Sequence, residues 1–313
     1  MKLFEAGTPT LHLRELAEAE ALRARRIESV YHAGQAKAWD GRQVLQDAYA
    51  LYPRDGARLG DAEKRALAGV FSVLMWGELA AWRVSAQLVE LLEDPAMRLA
   101  ATGQTHDEAR HYYVLHDYLR DLAVEVPPLD AFTRTFLNAC LAAPLPLQKV
   151  VGMQLLVETI ALTIFKMVRE VDVDPALSHL LTFYERDEAR HVGFGVQAAP
   201  VLMAQASALE RARLLAFEGK VLSAMLLSVK NVEEDLRRVG ADPRALLEDG
   251  ARRFAQILAD YRALAGNTSP EGRVLARLFD AMMDGVFPTD RARGVGGRAK
   301  DAWAALWRPS RLG

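Results

Sequence analysis

Asp107-Glu108-Ala109-Arg110-His111 and Asp187-Glu188-Ala189-Arg190-His191 are one pentapeptide written twice, 80 residues apart in a chain of 313. Each copy follows another glutamate by 30 residues, Glu78 before Glu108 and Glu158 before Glu188. Asp94-Pro95 and Asp174-Pro175 punctuate the two intervals at the same point, 17 residues after the first glutamate and 13 before the second. The chain therefore carries two copies of a helix, a turn and a helix, each offering Glu and then Glu-x-x-His.

At ~1.5 Å per residue, 17 residues of outgoing helix and 13 of returning helix span about 25 and about 20 Å, so the ligand positions of each hairpin lie at nearly one level. Within Glu-x-x-His the two side chains stand at i and i+3, on one helix face and within reach of one ion. Packing the hairpins as four antiparallel helices points four carboxylates and two imidazoles inward, enough for two metal ions. A single Glu-x-x-His would be an ordinary surface pair; the setting of the upstream glutamates is what changes the reading. Glu78 sits in Val73-Leu74-Met75-Trp76-Gly77-Glu78-Leu79-Ala80-Ala81-Trp82 and Glu158 in Met153-Gln154-Leu155-Leu156-Val157-Glu158-Thr159-Ile160-Ala161-Leu162, both otherwise apolar. A carboxylate there costs several kcal/mol unless it is paired or bound to metal. A ligating histidine commonly gives its other ring N–H to a carboxylate. Asp107 and Asp187 can do this across the pseudo-twofold axis, with Arg110 and Arg190 holding those aspartates.

Helical periodicity dominates and β-type alternation is scarce. Helices are expected at about 11–29, 61–93, 96–124, 147–171, 175–204, 207–238, 242–264 and 270–285. Pro127-Pro128 and Pro144-Leu145-Pro146 bracket a short crossover helix between the hairpins. The expected fold class is all-α: one domain over 1–313, with a four-helix core at 61–204, extra helices at 11–29 and 207–285, and a basic tail at 291–313. A net charge of −2 argues against a general nucleic-acid or membrane-surface role. The single cysteine, Cys140, excludes an intramolecular disulfide framework. With no signal-peptide pattern and no uninterrupted apolar run of ~18 residues, a cytoplasmic protein is expected.

The doubled Asp-Glu-x-Arg-His with its upstream glutamates resembles the signature of the ferritin-like di-iron carboxylate oxygenases, above all the hydroxylase subunits of bacterial multicomponent monooxygenases. It is similar, more distantly, to the ribonucleotide reductase radical subunit, the acyl-carrier-protein desaturases and the arylamine N-oxygenases. The resemblance covers about residues 61–204. It implies Glu78, Glu108 and His111 on one iron and Glu158, Glu188 and His191 on the other, with one or two carboxylates bridging; a manganese and iron pair is also compatible. It further implies O2, an organic small-molecule or carrier-bound substrate, and an electron donor such as a ferredoxin or flavin reductase as partners; a homodimer is compatible with it. Where the monooxygenase hydroxylases place a Thr, this chain has Leu162 between Thr159 and Thr163, and where the N-oxygenases add a His it has Tyr184. Thr159, Thr163 and Tyr184, and Glu185 beside the last, are the candidates for moving protons. The candidate pocket wall runs one turn from the ligands, through Leu74, Met75, Ala81, Trp82, Gln104, Leu115, Gln154, Ala161, Tyr184 and Gly195, with Ala81, Ala161 and Gly195 leaving room. The expected function is O2-dependent hydroxylation, N-oxygenation or desaturation of an organic substrate. The alternative is a ferroxidase or peroxide scavenger of the ferritin and rubrerythrin kind.

Overall fold

A computed structural model describes residues 25–53, 59–265, 270–288 and 294–308, and among these every regular element is helical. In chain order they are α1 (Arg25–Ala36), α2 (Gly41–Leu51), α3 (Asp61–Leu91), α4 (Pro95–Asp121), α5 (Ala131–Ala142), α6 (Pro146–Val171), α7 (Pro175–Gln205), α8 (Ala208–Asn231), α9 (Glu233–Arg238), α10 (Pro243–Ala265), α11 (Pro270–Val286) and α12 (Val295–Ala305). The repeated Asp-Pro behaves as its chemistry dictates. Asp94 and Asp174 cap α4 and α7, accepting from the N–H groups of Met97 and Ala176, and each proline takes the first turn, where no partner is needed for its missing N–H.

Helices α3, α4, α6 and α7 form the core, α3 packed on α4 and α6 on α7. Two apolar clusters divide it along its axis. One holds Phe71, Leu115, Tyr118, Phe165 and Tyr184; the other holds Val84, Leu88, Met97, Leu155 and Phe194. The glutamates lie at the level between them, so a layer of charge is clamped by two blocks of side chains that each contribute about 1.5–3 kcal/mol of burial per large residue. By length and composition α3 and α6 could cross a membrane, but 67% and 78% of their most apolar windows are buried against protein.

The covers on the two sides differ. α1 and α2 lie over α4 and α7, while α9 packs on α3, α10 on α6 and α7, and α8 on α5 and the first half of α6. Sequence periodicity missed α2 and α12, and it ended the first helix at 29, where α1 runs on to Ala36; residues 11–24 of that expected helix lie outside the described residues. α2 had a signal that went unread: Asp40 caps it, accepting from the N–H groups of Arg42 and Gln43. Residues 294–308, expected as tail, contain α12.

α6 is also not the uniform helix its pattern implies. Val150–Val157 is a π-helix, ending as the N–H of Glu158 bonds to the carbonyl of Met153, five residues back. Extra width in this segment brings it against its neighbours. A Cβ on Gly195 of α7 would stand 2.8 Å from Cβ of Gln154 and 2.7 Å from Leu155, and one on Gly152 would stand 2.7 Å from Phe217. Both positions need glycine for close approach. The room foreseen beside Gly195 is thus filled by the π segment.

Candidate metal centre

All six ligand candidates are buried: Glu78 from α3, Glu108 and His111 from α4, Glu158 from α6, Glu188 and His191 from α7. Their ligand atoms fall into two overlapping groups, each within 4.8 Å mutually: Glu78, Glu108, His111 and Glu188, and then Glu108, Glu158, Glu188 and His191. Glu108 and Glu188 belong to both. The resemblance implies a division three and three with one or two carboxylates bridging; the fold places one glutamate of each pentapeptide in both groups.

Both imidazoles face the cluster with Nδ1. That atom of His111 lies 3.3 Å from Glu78, 3.5 Å from Glu108 and 3.1 Å from Glu188, and that of His191 lies 3.0 Å from Glu108 and 3.2 Å from Glu188. The opposite nitrogens face aspartates of the other hairpin: His111 Nε2 is 3.3 Å from Asp187, and His191 Nε2 is 3.4 Å from Asp107. Arg110 bonds to Asp107 at 2.5 Å and to Asp187 at 2.9 Å, and Arg190 bonds to both at 2.8 Å. The four charged side chains close a ring across α4 and α7 that fixes each imidazole by its outer nitrogen.

That ring is not symmetric. Trp39, in the link between α1 and α2, donates its indole N–H to Asp187 at 2.7 Å, and the Arg110 guanidinium sits 4.6 Å from the centre of its ring. Sequence spacing gave no sign of it, because Trp39 lies 148 residues from its partner and outside the repeat. Gln104 likewise has a larger part than wall residue. It donates to Glu108 at 2.9 Å and to Glu158 at 3.2 Å, with the Gln154 amide 3.3 Å behind it. Its place one turn before Glu108, on the ligand face of α4, was the available clue.

The remaining candidates are placed as follows. Tyr184 stacks on His111 with ring centres 4.3 Å apart, and its hydroxyl donates to the carbonyl of His111 at 2.7 Å. Burial pushes that phenol well above its usual range. Thr163 donates to the carbonyl of Thr159 at 2.7 Å. Thr159 is buried and its own hydroxyl has no partner among the described residues. Glu185 pairs with Arg169 and stays out of the cluster.

Burial, reinforced by the charge of Glu188, raises the carboxyls of Glu78 and Glu158 well above the usual range. Burial opposes ionisation of Glu108 too, but the charge of His191 and the hydrogen bond to His111 outweigh it and hold that carboxyl well below. Glu188 is lowered by the same opposition between burial and the imidazoles. His111 and His191 are penalised by burial, yet the carboxylates around them raise both well above an ordinary histidine. For Asp107, burial is outweighed by the hydrogen bond and charge of His191, which bring it down to about 2; Asp187 is lowered further, with Arg190 and Trp39 adding to His111. The aspartates and arginines balance each other; with the imidazoles neutral and all four glutamates ionised, as metal ligation requires, two divalent cations would cancel the four negative charges. Oε2 of Glu108 and Oε1 of Glu188 are buried with no hydrogen bond among the described residues beyond the ion-pair contact of His111 Nδ1 at 3.5 and 3.1 Å. Such orphaned oxygens on the two shared carboxylates, with two imidazoles beside them, form a donor set of the mixed O and N kind that suits iron or manganese.

Two of the described cavities meet this cluster: a small one of about 10 Å³ reaches His191 beside Gln104, Asp107 and Arg190, and a larger one reaches the glutamates. Val70, Leu74, Ala81, Ile164, Met225 and Val229 wall the larger one, and Glu78 and Glu158 stand at its edge. Of the expected wall, Leu74, Ala81 and Ala161 line it; Met75, Trp82, Gln104, Leu115, Gln154, Tyr184 and Gly195 do not.

No family model matches the chain, and no curated protein matches it. Among solved structures it is similar to Protein 19 with aldehyde deformylating oxidase activity from Synechococcus, with a TM-score of 0.58 and 21% identity, covering 69% of this chain and 96% of that one. The likeness shows the fold: an all-α, ferritin-like bundle.

Proposed function

We propose that this chain is an O2-dependent oxidoreductase whose buried cluster holds two iron ions, or one manganese and one iron, and that it acts on an apolar organic substrate. The cavity between α3, α6 and α8 carries this reading. It reaches Glu78 and Glu158, the two unshared glutamates, along walls of aliphatic side chains. Its other polar lining residue is Ser228, whose hydroxyl is engaged by Thr133 at 2.5 Å. A hydrated Fe(II) ion has nothing to exchange its water for on such a path, whereas an apolar molecule gains ~25 cal/mol for each Å² it buries there. This favours an oxygenase or oxidase over the ferroxidase alternative.

In this scheme Glu108 and Glu188 are the shared ligands. Glu78 with His111 completes one position, and Glu158 with His191 the other. Two redox-active ions, when bound, would supply electrons to O2, and a substrate beside them would then lose electrons to the partly reduced oxygen. Asp107 and Asp187 keep the outer nitrogens of both imidazoles protonated and their rings oriented. Arg110, Arg190 and Trp39 hold the aspartates, and Gln104 fixes the angle between Glu108 and Glu158. The apolar wall keeps bulk water from the reacting group. Tyr184 positions His111 through its carbonyl. Of the two threonines, Thr159 keeps a buried hydroxyl without a partner among the described residues, on the wall of a neighbouring apolar cavity, whereas Thr163 spends its own on the Thr159 carbonyl. A reaction consuming more electrons than the substrate provides needs a donor such as a ferredoxin or flavin reductase.

Oxidative deformylation of an aldehyde, the activity in the name of the structural neighbour, is the first reaction to try, alongside hydroxylation, N-oxygenation and desaturation. Iron-loaded, reduced protein should convert an unbranched aliphatic aldehyde or hydrocarbon under O2 to a product that mass spectrometry identifies. Rapid oxidation of added Fe(II), with no product from any apolar substrate, would favour the ferroxidase reading.

A further inference from the structure

A second apolar cavity lies beyond the first, bounded by Leu155, Leu156, Thr159, Leu222, Gly250 and Phe254. Ile160 of α6 and Met225 of α8 line both cavities. Resting on the proposed function, we infer that these two side chains are a gate which sets how long an apolar substrate chain the enzyme takes.

Three observations support the gate. The cavity at the glutamates has a volume of about 50 Å³ and the one beyond it about 30 Å³. An apolar cavity of roughly 150 Å³ is what takes up a benzene ring, so the near chamber as it stands suits a slim unbranched chain and is short of room for an aromatic ring. A chain that starts at Glu78 and Glu158 must pass between Ile160 and Met225 to use the second chamber. Secondly, the gate is built from movable parts: Met225 is unbranched and adapts its shape at little cost, while Ile160 is only partly buried and touches both core clusters. Thirdly, Gly250 of α10 backs the gate. A Cβ there would stand 2.7 Å from Cδ1 of Ile160, so that side chain occupies space which any other residue at 250 would claim. α10 thereby sets how far Ile160 can withdraw from the passage.

The pair stands outside the ligand groups, and its effect on chain length can be read from binding without turnover. The probe is a homologous series of unbranched primary alcohols, titrated against metal-loaded protein by calorimetry. Each added methylene should tighten binding about fourfold, the equivalent of ~0.8 kcal/mol, until the chain meets the gate and the gain stops. Ile160→Ala and Met225→Ala should move that break to longer chains, and Gly250→Ala, which pushes Ile160 into the passage, should move it to shorter ones. Ile160→Val provides a milder opening should Ile160→Ala fold poorly, as judged by circular dichroism. A break at one chain length in the native protein and in all folded variants would overturn the gate and leave the cavity as substrate site intact. Absence of binding by every alcohol would instead overturn the apolar-substrate reading, and the gate with it.

Discussion

On the α4 and α7 side of the glutamate layer, four charged side chains and an indole interlock around the two imidazoles; on the α3 and α6 side the glutamates border a hollow walled by aliphatic groups. The repeat duplicated the ligands, but the covers came from unrelated parts of the chain. α1 and α2 bring Trp39 to one side, while α8, α9 and α10 close the other. The difference assigns tasks. In the proposed scheme the polar side fixes and tunes the ligands, and the apolar side admits what is to be oxidised.

The largest effect should separate shared from unshared glutamates. Glu108→Ala removes a ligand from both positions and should leave less than half of the native metal content, whereas Glu78→Ala should spare the Glu158 and His191 position. Elemental analysis of the purified variants checks this; equal retention in both would erase the distinction between bridging and terminal carboxylates.

On the polar side, Asp107→Asn and Asp187→Asn should each cost on the order of 10- to 100-fold in metal affinity. Asp187 should be the more sensitive, since it also takes the hydrogen bond of Trp39. Trp39→Phe keeps an aromatic face for Arg110 and should cost only a few-fold. Competition with a metal-binding dye would measure all three.

Filling the apolar side should give the opposite pattern. Ala81→Phe puts a ring into the hollow beside Glu78, so binding of an apolar ligand should fall by roughly tenfold or more for ~1.4 kcal/mol of lost contact, with metal content unchanged. Loss of metal along with ligand would show that the two sides are not separable.

The smallest effect concerns acids in contrasting settings. His191 brings Asp107 of the polar side down to about 2, while Glu218, on the α8 cover, is pushed by burial alone from an ordinary 4.5 to about 8. An unfolded Glu218 ionises first as pH rises, so the folded state should lose stability between about pH 4.5 and 8 and level off above. Glu218→Gln should flatten that part of the curve and raise Tm near pH 8. Parallel pH profiles for the two proteins would contradict it.

How much of this was written in the sequence depended on whether the signal repeats. The ligand hairpins were legible because Glu78, Glu108, Glu158 and Glu188 keep one register and Asp94 and Asp174 mark the same turn. The lengths of α3, α4, α6 and α7 followed from 3.6-residue periodicity. Trp39 was not legible: its contact joins the link between α1 and α2 to α7, 148 residues away, and leaves no pattern. Neither was the π segment, since Val150–Val157 is apolar apart from Gln154 and its wider turn shows only in the glycines that tolerate it, Gly152 and Gly195. The cavity was half legible, as Ala81 and Ala161 do line it, while Gly195 was absorbed by packing.

The division into a polar holding side and an apolar substrate side is tested most directly by O2 uptake of anaerobically reduced, iron-loaded protein during addition of Fe(II). An apolar approach gives free Fe(II) no entry, so uptake should stop at about one O2 for two bound irons and resume only when an electron donor is supplied. Continued uptake in proportion to added Fe(II), through many irons per chain, would contradict the account.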